Sequence, residues 1–205
     1  MNFNKDLFKE TEAKEFGDFE TLELGGHEIV ILDAREYTSD ISGNTSLRIS
    51  IDISNKKTQE KQAGYFRKQY DSNNDPEKKW PNGAVKYLSL KDEQIAYLKG
   101  FITACEKSNS GFKFNMNGNW DQLKGLILAG QFGLEEFKDS EGKIKTVTKL
   151  TQFRSIEKLK DIQIPKVKLL DGKFVDYDDY KEFYQDKKDE ITTGGIEIND
   201  SDLPF

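Results

Sequence analysis

The sequence predicts a mainly β domain that contains one long helix, and two different periodicities predict it. Residues 47–54, LRISIDIS, alternate apolar and polar side chains, which is typical of a half-buried strand. Residues 90–109 instead place Ile95, Leu98 and Ile102 at the spacing of an amphipathic helix. Strand patterns precede and follow this helix, so the predicted order is three strands, one helix and two strands. This is the order of the OB-fold, a five-stranded Greek-key barrel, with an open α+β sheet as the alternative.

The first two strands are predicted to pair as a hairpin around the turn-forming residues 39–46, SDISGNTS. Residues 25–39 predict the first strand, with apolar side chains on both faces at its centre. One face carries Ile29, Ile31 and Asp33, and the other carries Val30, Leu32 and Ala34. In the second strand the residues predicted to face inward are Leu47, Ile49, Ile51 and Ile53.

The third strand is predicted at residues 63–71, AGYFRKQYD, and a loop follows at 71–84. In this strand Tyr65 and Arg67 would share one face, and Phe66, Lys68 and Tyr70 the other. One set of rings would therefore lie beside a positive charge.

The two strands after the helix are predicted to pair through a tight turn at Glu141-Gly142. The fourth strand begins at about Gly125, after a short helical turn at Trp120–Lys124. The fifth strand lies within residues 141–156. The predicted organisation is a lead-in at 1–20, an OB-fold single-stranded DNA-binding domain at 21–170, an acidic aromatic extension at 171–193 and a flexible acidic tail at 194–205.

Composition limits the classes of protein that this chain fits. Its 205 residues suffice for one medium domain with tails, and no run approaches about 20 apolar residues. The charged first 20 residues lack the apolar core of a signal peptide, so a cytoplasmic location, here inside an infected bacterial host, is expected. Segment 171–205 holds 11 acids and four lysines, a net charge of −7, which leaves +1 for residues 1–170 of a chain whose net charge is −6. This asymmetry favours a basic working surface beside an acidic tail.

Few residues suit catalysis, so no enzymatic activity is predicted. His27 and Cys105 are the single residues of their types, which rules out zinc sites built from several of them. No phosphate-binding P-loop or dinucleotide glycine motif is present. Three late carboxylates, Asp176, Asp178 and Asp179, leave a metal-dependent nuclease as one rival hypothesis, although a solvated acidic face is the favoured interpretation.

Two basic segments that also contain aromatic residues point to nucleic acid. Residues 56–91 hold nine basic and four acidic residues, and residues 143–168 hold eight basic and two acidic residues. Lysine and arginine follow phosphates, while exposed rings stack on unpaired bases. The alternative is that the rings belong to the core and the lysines to a solvated face. The candidate DNA contacts are Tyr65, Phe66, Arg67, Lys68, Tyr70, Lys78, Lys79, Trp80, Lys86, Phe153 and Arg154.

The same segments resemble a family of bacteriophage proteins found among replication and recombination genes. The resemblance covers roughly residues 20–170. Its motifs are the Gly-Tyr-aromatic-basic run at 64–67, KKWPNG at 78–83, LKGFITACEKSN at 98–109, WDQLKGLILAGQFG at 120–133 and KLTQFRSIEKLKD at 149–161. It implies an OB-fold protein that coats single-stranded DNA without sequence preference and needs no cofactor. A protein-interaction module, acting as an inhibitor or adaptor of a host enzyme on the same barrel, remains the alternative function.

The last residues, GGIEINDSDLPF, resemble the tip of bacterial single-stranded DNA-binding proteins, in which acids precede Ile-Pro-Phe. Leu203 stands here in the position of the isoleucine. The resemblance implies that the tip recruits a phage recombinase or annealing protein, or host replication proteins. The partner-binding residues would be Asp200, Asp202, Leu203, Pro204 and Phe205. The sequence also permits a homo-oligomer and indicates no membrane association.

Deletion of Phe205 is expected to abolish partner recruitment and to leave DNA binding intact, because the ring and its adjoining carboxylate would form the recognition element. Pull-downs from phage-infected lysate with the full-length and truncated proteins test this. Recovery of the same proteins by both forms, or loss of DNA affinity on truncation, would contradict the predicted role of the tip.

Overall fold

The computed structural model describes residues 21–182, and expectations that concern residues 1–20 and 183–205, including the tip, lie outside this range. The strands are β1 (Gly25–Thr38), β2 (Thr45–Ile53), β3 (Val85–Ser89), β4 (Ile127–Lys138), β5 (Ile144–Arg154), β6 (Val167–Lys168) and β7 (Phe174–Val175). The longer helices are α1 (Tyr65–Ser72) and α2 (Ile95–Ser108), and four short 3₁₀ turns lie at Asn82–Ala84, Asp92–Gln94, Trp120–Leu123 and Ile156–Asp161. In residues 21–182 no helix has both the length and the apolar character that crossing a bilayer requires.

The strands form one mixed sheet that does not close on itself. Its hydrogen-bonded order is β3-β2-β1-β4-β6-β7, and β5 pairs with the other edge of β4. The β4–β6 pair is parallel, and every other pair is antiparallel. Strands β3 and β5 therefore lie at opposite ends of the β3-β2-β1-β4-β5 series, and no ladder joins them within residues 21–182.

A bulge in β1 changes which side chains face the core. Ile31 pairs with Ile51 and Asp33 with Ser50, so Leu32 is the extra residue. Beyond the bulge Ala34, opposite Ile49, joins Ile29 and Ile31 in the core. The prediction placed Asp33 on the face of Ile29 and Ile31, and Ala34 on the face of Val30 and Leu32. That prediction was wrong beyond the bulge, because strict alternation does not survive an inserted residue.

The core lies on one face of the sheet, to which β2 contributes the four inward side chains that its alternation predicts. Leu47, Ile49, Ile51 and Ile53 are all buried. Phe132 of β4 and Leu150 of β5 face each other across their ladder and complete this layer. The outward residues of β2 are partly covered as well, and Asp52 is buried among them.

The predicted third strand at residues 63–71 is instead helix α1. Strand β3 lies at Val85–Ser89, between the predicted loop at 71–84 and the predicted helix at 90–109, where no element was predicted from the sequence. Phe66 and Tyr70 are four residues apart, a spacing that suits a helix face as well as an alternating strand. The helix begins after Gly64, whose φ of 70° is the left-handed conformation that glycine adopts readily. The side chain that accepts from its first turn, Asp52, comes from β2 and cannot be recognised from the local sequence.

Helix α2 covers the open side of the sheet, in the position in the chain that the periodicity predicts. It buries Leu98, Phe101, Ala104 and Cys105, whereas Ile95 at its start is half exposed. Asn109 ties the end of this helix to β4: its side-chain nitrogen donates to the carbonyls of Cys105 and Ile127, and its oxygen accepts from the Ile127 amide at 3.0 Å.

Residues 156–182 pack on the sheet and do not form a separate extension. Gly26 lies against Leu159 and Ile162, and Gly133 lies against Pro165. Tyr180 is buried, and its hydroxyl lies 3.1 Å from a carboxylate oxygen of Glu136. The predicted boundary at residue 170 therefore falls within the β6–β7 hairpin.

Substitution of Gly83 tests how closely the turn before β3 approaches β5. A Cβ atom at Gly83 would lie 2.4 Å from the carbonyl oxygen of Thr148, which is backbone and has little freedom to move. We expect Gly83→Ala to lower the free energy of unfolding by about 1–3 kcal/mol through this overpacking, measured by urea denaturation.

The matched control is Gly100→Ala in α2, where an added Cβ meets nothing within 4 Å. Because alanine favours the helix over glycine, this variant should be more stable by up to about 1 kcal/mol. Equal stability of Gly83→Ala and the wild type would show that the turn is not packed on β5.

Candidate nucleic-acid interface

Four of the predicted DNA contacts meet in one cluster of rings and cations beside α1. The guanidinium carbon of Arg67 lies 4.9 Å from the centre of the Trp80 ring. The Tyr70 and Trp80 rings are 5.5 Å apart, and the Lys78 ammonium lies 4.6 Å from the centre of the Tyr70 ring. We call Arg67, Tyr70, Lys78 and Trp80 the α1 cluster; its cations are stabilised by the ring faces.

Trp80 is an anchor as well as a ring of this cluster. Its indole nitrogen donates a 3.0 Å hydrogen bond to the carbonyl of Ile51, and its half-buried ring packs on the core. Part of the Trp80 ring therefore packs on the core and fixes the loop. Less of the aromatic surface of the α1 cluster is free to stack on bases than its composition predicts.

Asp52 fixes α1 on the sheet. Its carboxylate accepts from the amides of Ile53 at 2.8 Å and Phe66 at 3.0 Å. Burial raises the pKa of Asp52 above its ordinary value of 3.8, and the hydrogen bonds from the Ile53, Phe66 and Arg67 backbone act against that rise. The buried carboxylate thus replaces the N-terminal cap that Gly64 cannot provide.

The structure removes one candidate from the surface. Phe66 is 2% exposed and stacks on Phe132 in the core, with ring centres 5.9 Å apart, so it cannot contact DNA in this conformation. Tyr65 is half-buried and packs edge-on against Phe66. Lys68 and Lys79 are exposed and form no ion pair with a described residue.

Three other candidates lie in a groove between β3 and β5, along the edge where the sheet stays open. The groove has a volume of about 700 Å³ and is covered on one side by α2. We call it the seam groove. Its cations are Lys86, Lys107, Arg154 and Lys158, and its rings are Tyr87, Tyr97, Phe101 and Phe153. Among residues 21–182, no carboxylate side chain lines it.

The position of Lys86 in the seam groove explains its electrostatics. Lys86 pairs with Ile49 on the inward face of the sheet and is half-buried. Burial lowers its pKa below the ordinary value of 10.5, Lys149 and Lys168 lower it further, and Glu135 opposes them. An anion beside Lys86 in the groove would favour its charged form.

The aromatic side chains of the groove differ in exposure. Phe153 packs on Phe101 with ring centres 4.6 Å apart, so these two rings form the floor. Tyr97 on α2 is 73% exposed and stands at the rim. Arg154 is exposed at the end of β5, where it donates to Gln152 at 2.6 Å.

Sequence reasoning missed Tyr97, Lys107 and Lys158 as parts of this site. The signal was present, since Ala96, Gly100, Thr103 and Lys107 recur at helical spacing and the first three are small. A stripe of small residues lets other groups approach a helix, and here it borders the groove. The predicted site was based on the basic composition of residues 56–91 and 143–168, and helix α2 lies between these two segments.

The residues considered for catalysis are held in hydrogen bonds, in the buried core or in an ion pair. His27 is buried, with Nδ1 3.1 Å from Glu60 and Nε2 2.8 Å from the carbonyl of Glu23. Burial raises the pKa of the Cys105 thiol to about 12. Asp176 pairs with Lys166 at 3.0 Å, and within residues 21–182 no three His, Cys, Asp or Glu side chains are grouped as metal ligands would be.

Comparison with known proteins adds no relative to this picture. No family model matches the chain, and no curated protein matches it significantly. The resemblance to phage single-stranded DNA-binding proteins stays a prediction from the motifs quoted above.

Replacement of Trp80 separates anchoring from DNA contact. We expect Trp80→Ala to lower the free energy of unfolding by about 2–3 kcal/mol, somewhat less than for a fully buried ring, because the indole hydrogen bond and its packing are lost. Urea denaturation measures this, with Lys79→Ala as the exposed control, which should stay within about 0.5 kcal/mol of the wild type. Wild-type stability of Trp80→Ala together with weakened oligonucleotide binding would show that the ring serves DNA alone.

Proposed function

We propose that this protein binds single-stranded DNA, with the seam groove as its main contact surface. The observation that carries the proposal is the lining of that groove, to which the described part of the chain contributes four cations and four aromatic rings but no carboxylate. The chain as a whole carries a net charge of −6, so a groove in which all the charged side chains of the described residues are cations differs from its overall composition. Such a surface attracts phosphates and repels basic partners.

The groove combines the two kinds of contact that an unpaired strand requires. Lys107, Arg154 and Lys158 are exposed and suit the phosphates of a backbone that passes along the groove. Exposed rings such as Tyr87 and Tyr97 suit the faces of bases, which are accessible only when the strand is unpaired. Neither contact depends on base identity, which supports binding without sequence preference.

The topology supports an OB-fold for the sheet that carries the groove. The strand order β3-β2-β1-β4-β5, with α2 between β3 and β4 in the chain, is that of a barrel left open between β3 and β5. OB-folds are partly open five-stranded barrels that use such surfaces to bind oligonucleotides. The β6–β7 hairpin would be an addition to this fold.

The biological role proposed here rests on the sequence. The resemblance to phage proteins favours DNA over RNA and a role in coating strands during replication or recombination, in the cytoplasm of the host. The acidic residues and the Leu203-Pro204-Phe205 ending favour recruitment of partner proteins by the tip. An adaptor that binds only protein would show no salt-dependent affinity for an oligonucleotide.

Fluorescence anisotropy with a labelled oligonucleotide tests the proposal. We expect tighter binding to the single strand than to its duplex, and an affinity that falls with salt. The four groove cations predict a slope of log affinity against log salt near about −3, at ~0.7 per phosphate contact. Equal affinity for single strand and duplex, or no binding at low salt, would refute the proposal.

A charge-reversal pair shows whether the groove is the site. Arg154→Glu with Lys158→Glu should weaken binding at least about tenfold and make the salt slope shallower by about 1.4, since two phosphate contacts are lost at ~0.7 each. The matched control is Lys61→Glu with Lys138→Glu, which changes net charge equally at two exposed positions outside the groove. If both pairs weaken binding equally, net charge and not the groove determines affinity.

A further inference from the structure

A second, smaller groove lies at the β1–β2 hairpin and adjoins the seam groove through Tyr87, which lines both. It has a volume of about 400 Å³ and is lined by Tyr37, Ser39, Ser42, Asn44, Ser46 and Tyr87. We call it the hairpin groove. Unlike the seam groove, it has no charged side chain among the described residues that line it, so it is not built to hold a phosphate.

The register of the sheet explains why two tyrosines meet here. Tyr37 of β1 pairs with Ser46 of β2, while Tyr87 of β3 pairs with Arg48, two residues further along β2. All of these side chains lie on the outer face of the sheet, because cross-strand partners share a face. The small Ser46 separates the two rings, whose centres are 5.5 Å apart at an interplanar angle of 59°.

Both rings keep a large part of their surface open to solvent. Tyr37 is 41% exposed and Tyr87 is 46% exposed. Ile41, at the tip of the same hairpin, is fully exposed. The two open rings of the groove form a surface that suits a flat, uncharged, aromatic group, and the exposed Ile41 lies in the turn between the groove residues Ser39 and Ser42.

Polar groups at the margin suit the edge of such a group. The side chains of Asn44 and Ser46 make no hydrogen bond to another described residue, so their donors and acceptors are available. Arg48, in the next row of the same face, donates to Ser50 at 3.0 Å and forms no ion pair within residues 21–182. It lies where a phosphate next to the hairpin groove would pass.

From these observations we propose that the hairpin groove is a subsite for one unpaired nucleobase, which stacks on Tyr37 while the backbone continues past Tyr87 into the seam groove. This inference rests on the proposed function and adds a specific contact to it. The bound strand would therefore extend beyond the seam groove onto the β1–β2 hairpin. The base-binding element would contain no cation.

The test compares two labelled probes: a dT oligonucleotide of about 16 nucleotides, long enough for one OB-fold site, and a strand of the same length that carries deoxyribose phosphates without bases. Tyr37→Ala should weaken binding of the dT strand about tenfold, since a stacking contact is lost, and leave binding of the abasic strand unchanged. Tyr37→Phe, which keeps the ring, should bind both strands as the wild type does.

Two further variants keep the result interpretable. Phe174→Ala removes a ring on β7 that is more exposed than Tyr37 and lies outside both grooves, and this variant should bind both probes normally. Tyr37→Leu retains an apolar side chain against Tyr87, and it takes the place of Tyr37→Ala if thermal melting shows that the alanine variant unfolds.

The outcomes separate the inference from the proposed function. If the wild type binds dT and Tyr37→Ala (or Tyr37→Leu in its place) binds it equally well, or loses affinity for both probes alike, the subsite is refuted while DNA binding stands. If the wild type binds neither probe at low salt, the proposed function fails and the subsite with it.

Discussion

The hydrogen bond from the Phe66 amide to the buried Asp52 carboxylate is the interaction on which the α1 side of the molecule depends. Residues 54–84 form a long connection between β2 and β3, and such a segment gains little from local structure alone. Glu28, fully buried on β1, holds its beginning by accepting from the amides of Lys57 and Thr58. Asp52 holds its middle, and the Trp80 indole holds its end on Ile51. Two buried carboxylates and one indole thus turn a polar loop into a fixed part of the surface, at the desolvation cost that the raised pKa of Asp52 reflects.

The seam groove exists because two strands of unequal length meet where no ladder forms. Strand β3 has five residues and β5 has 11. Gly83, in the turn before β3, packs closely on the Thr148 carbonyl of β5. An open edge of this kind invites pairing with other chains. Here α2 covers it, and the cations along it make close approach by a similar edge unfavourable. The same charges that protect the edge make it suitable for a polyanion.

The sequence predicted the parts of the fold in which one periodicity applied without competition. The positions of β1, β2, β4, β5 and α2 followed from alternation or helical spacing, as did the turn at Gly142. Helix α1 did not, because Phe66 and Tyr70 satisfy both periods and the cap comes from another strand. Strand β3 was not predicted, because Lys86 places a charge on its inward face and so breaks the apolar alternation that identifies a strand. For the candidate site, composition identified Lys86, Phe153 and Arg154, but it could not show that α2 would bring Tyr97 and Lys107 to them.

The bulge at Leu32 reverses which side chains of β1 face the core in the second half of the strand. Without the additional residue, the alternation set by Ile29 and Ile31 would continue, and Arg35 and Tyr37 would turn towards the core while Glu36 turned outward. With it, Glu36 stays on the side of Leu47, where it accepts from the Trp120 indole at 3.0 Å, and Tyr37 reaches Tyr87. The outer half of β1 therefore tolerates changes in length only in steps of two residues. Among relatives of this protein, an insertion or deletion in this half of β1 should involve an even number of residues, whereas the residue types themselves are free to vary more.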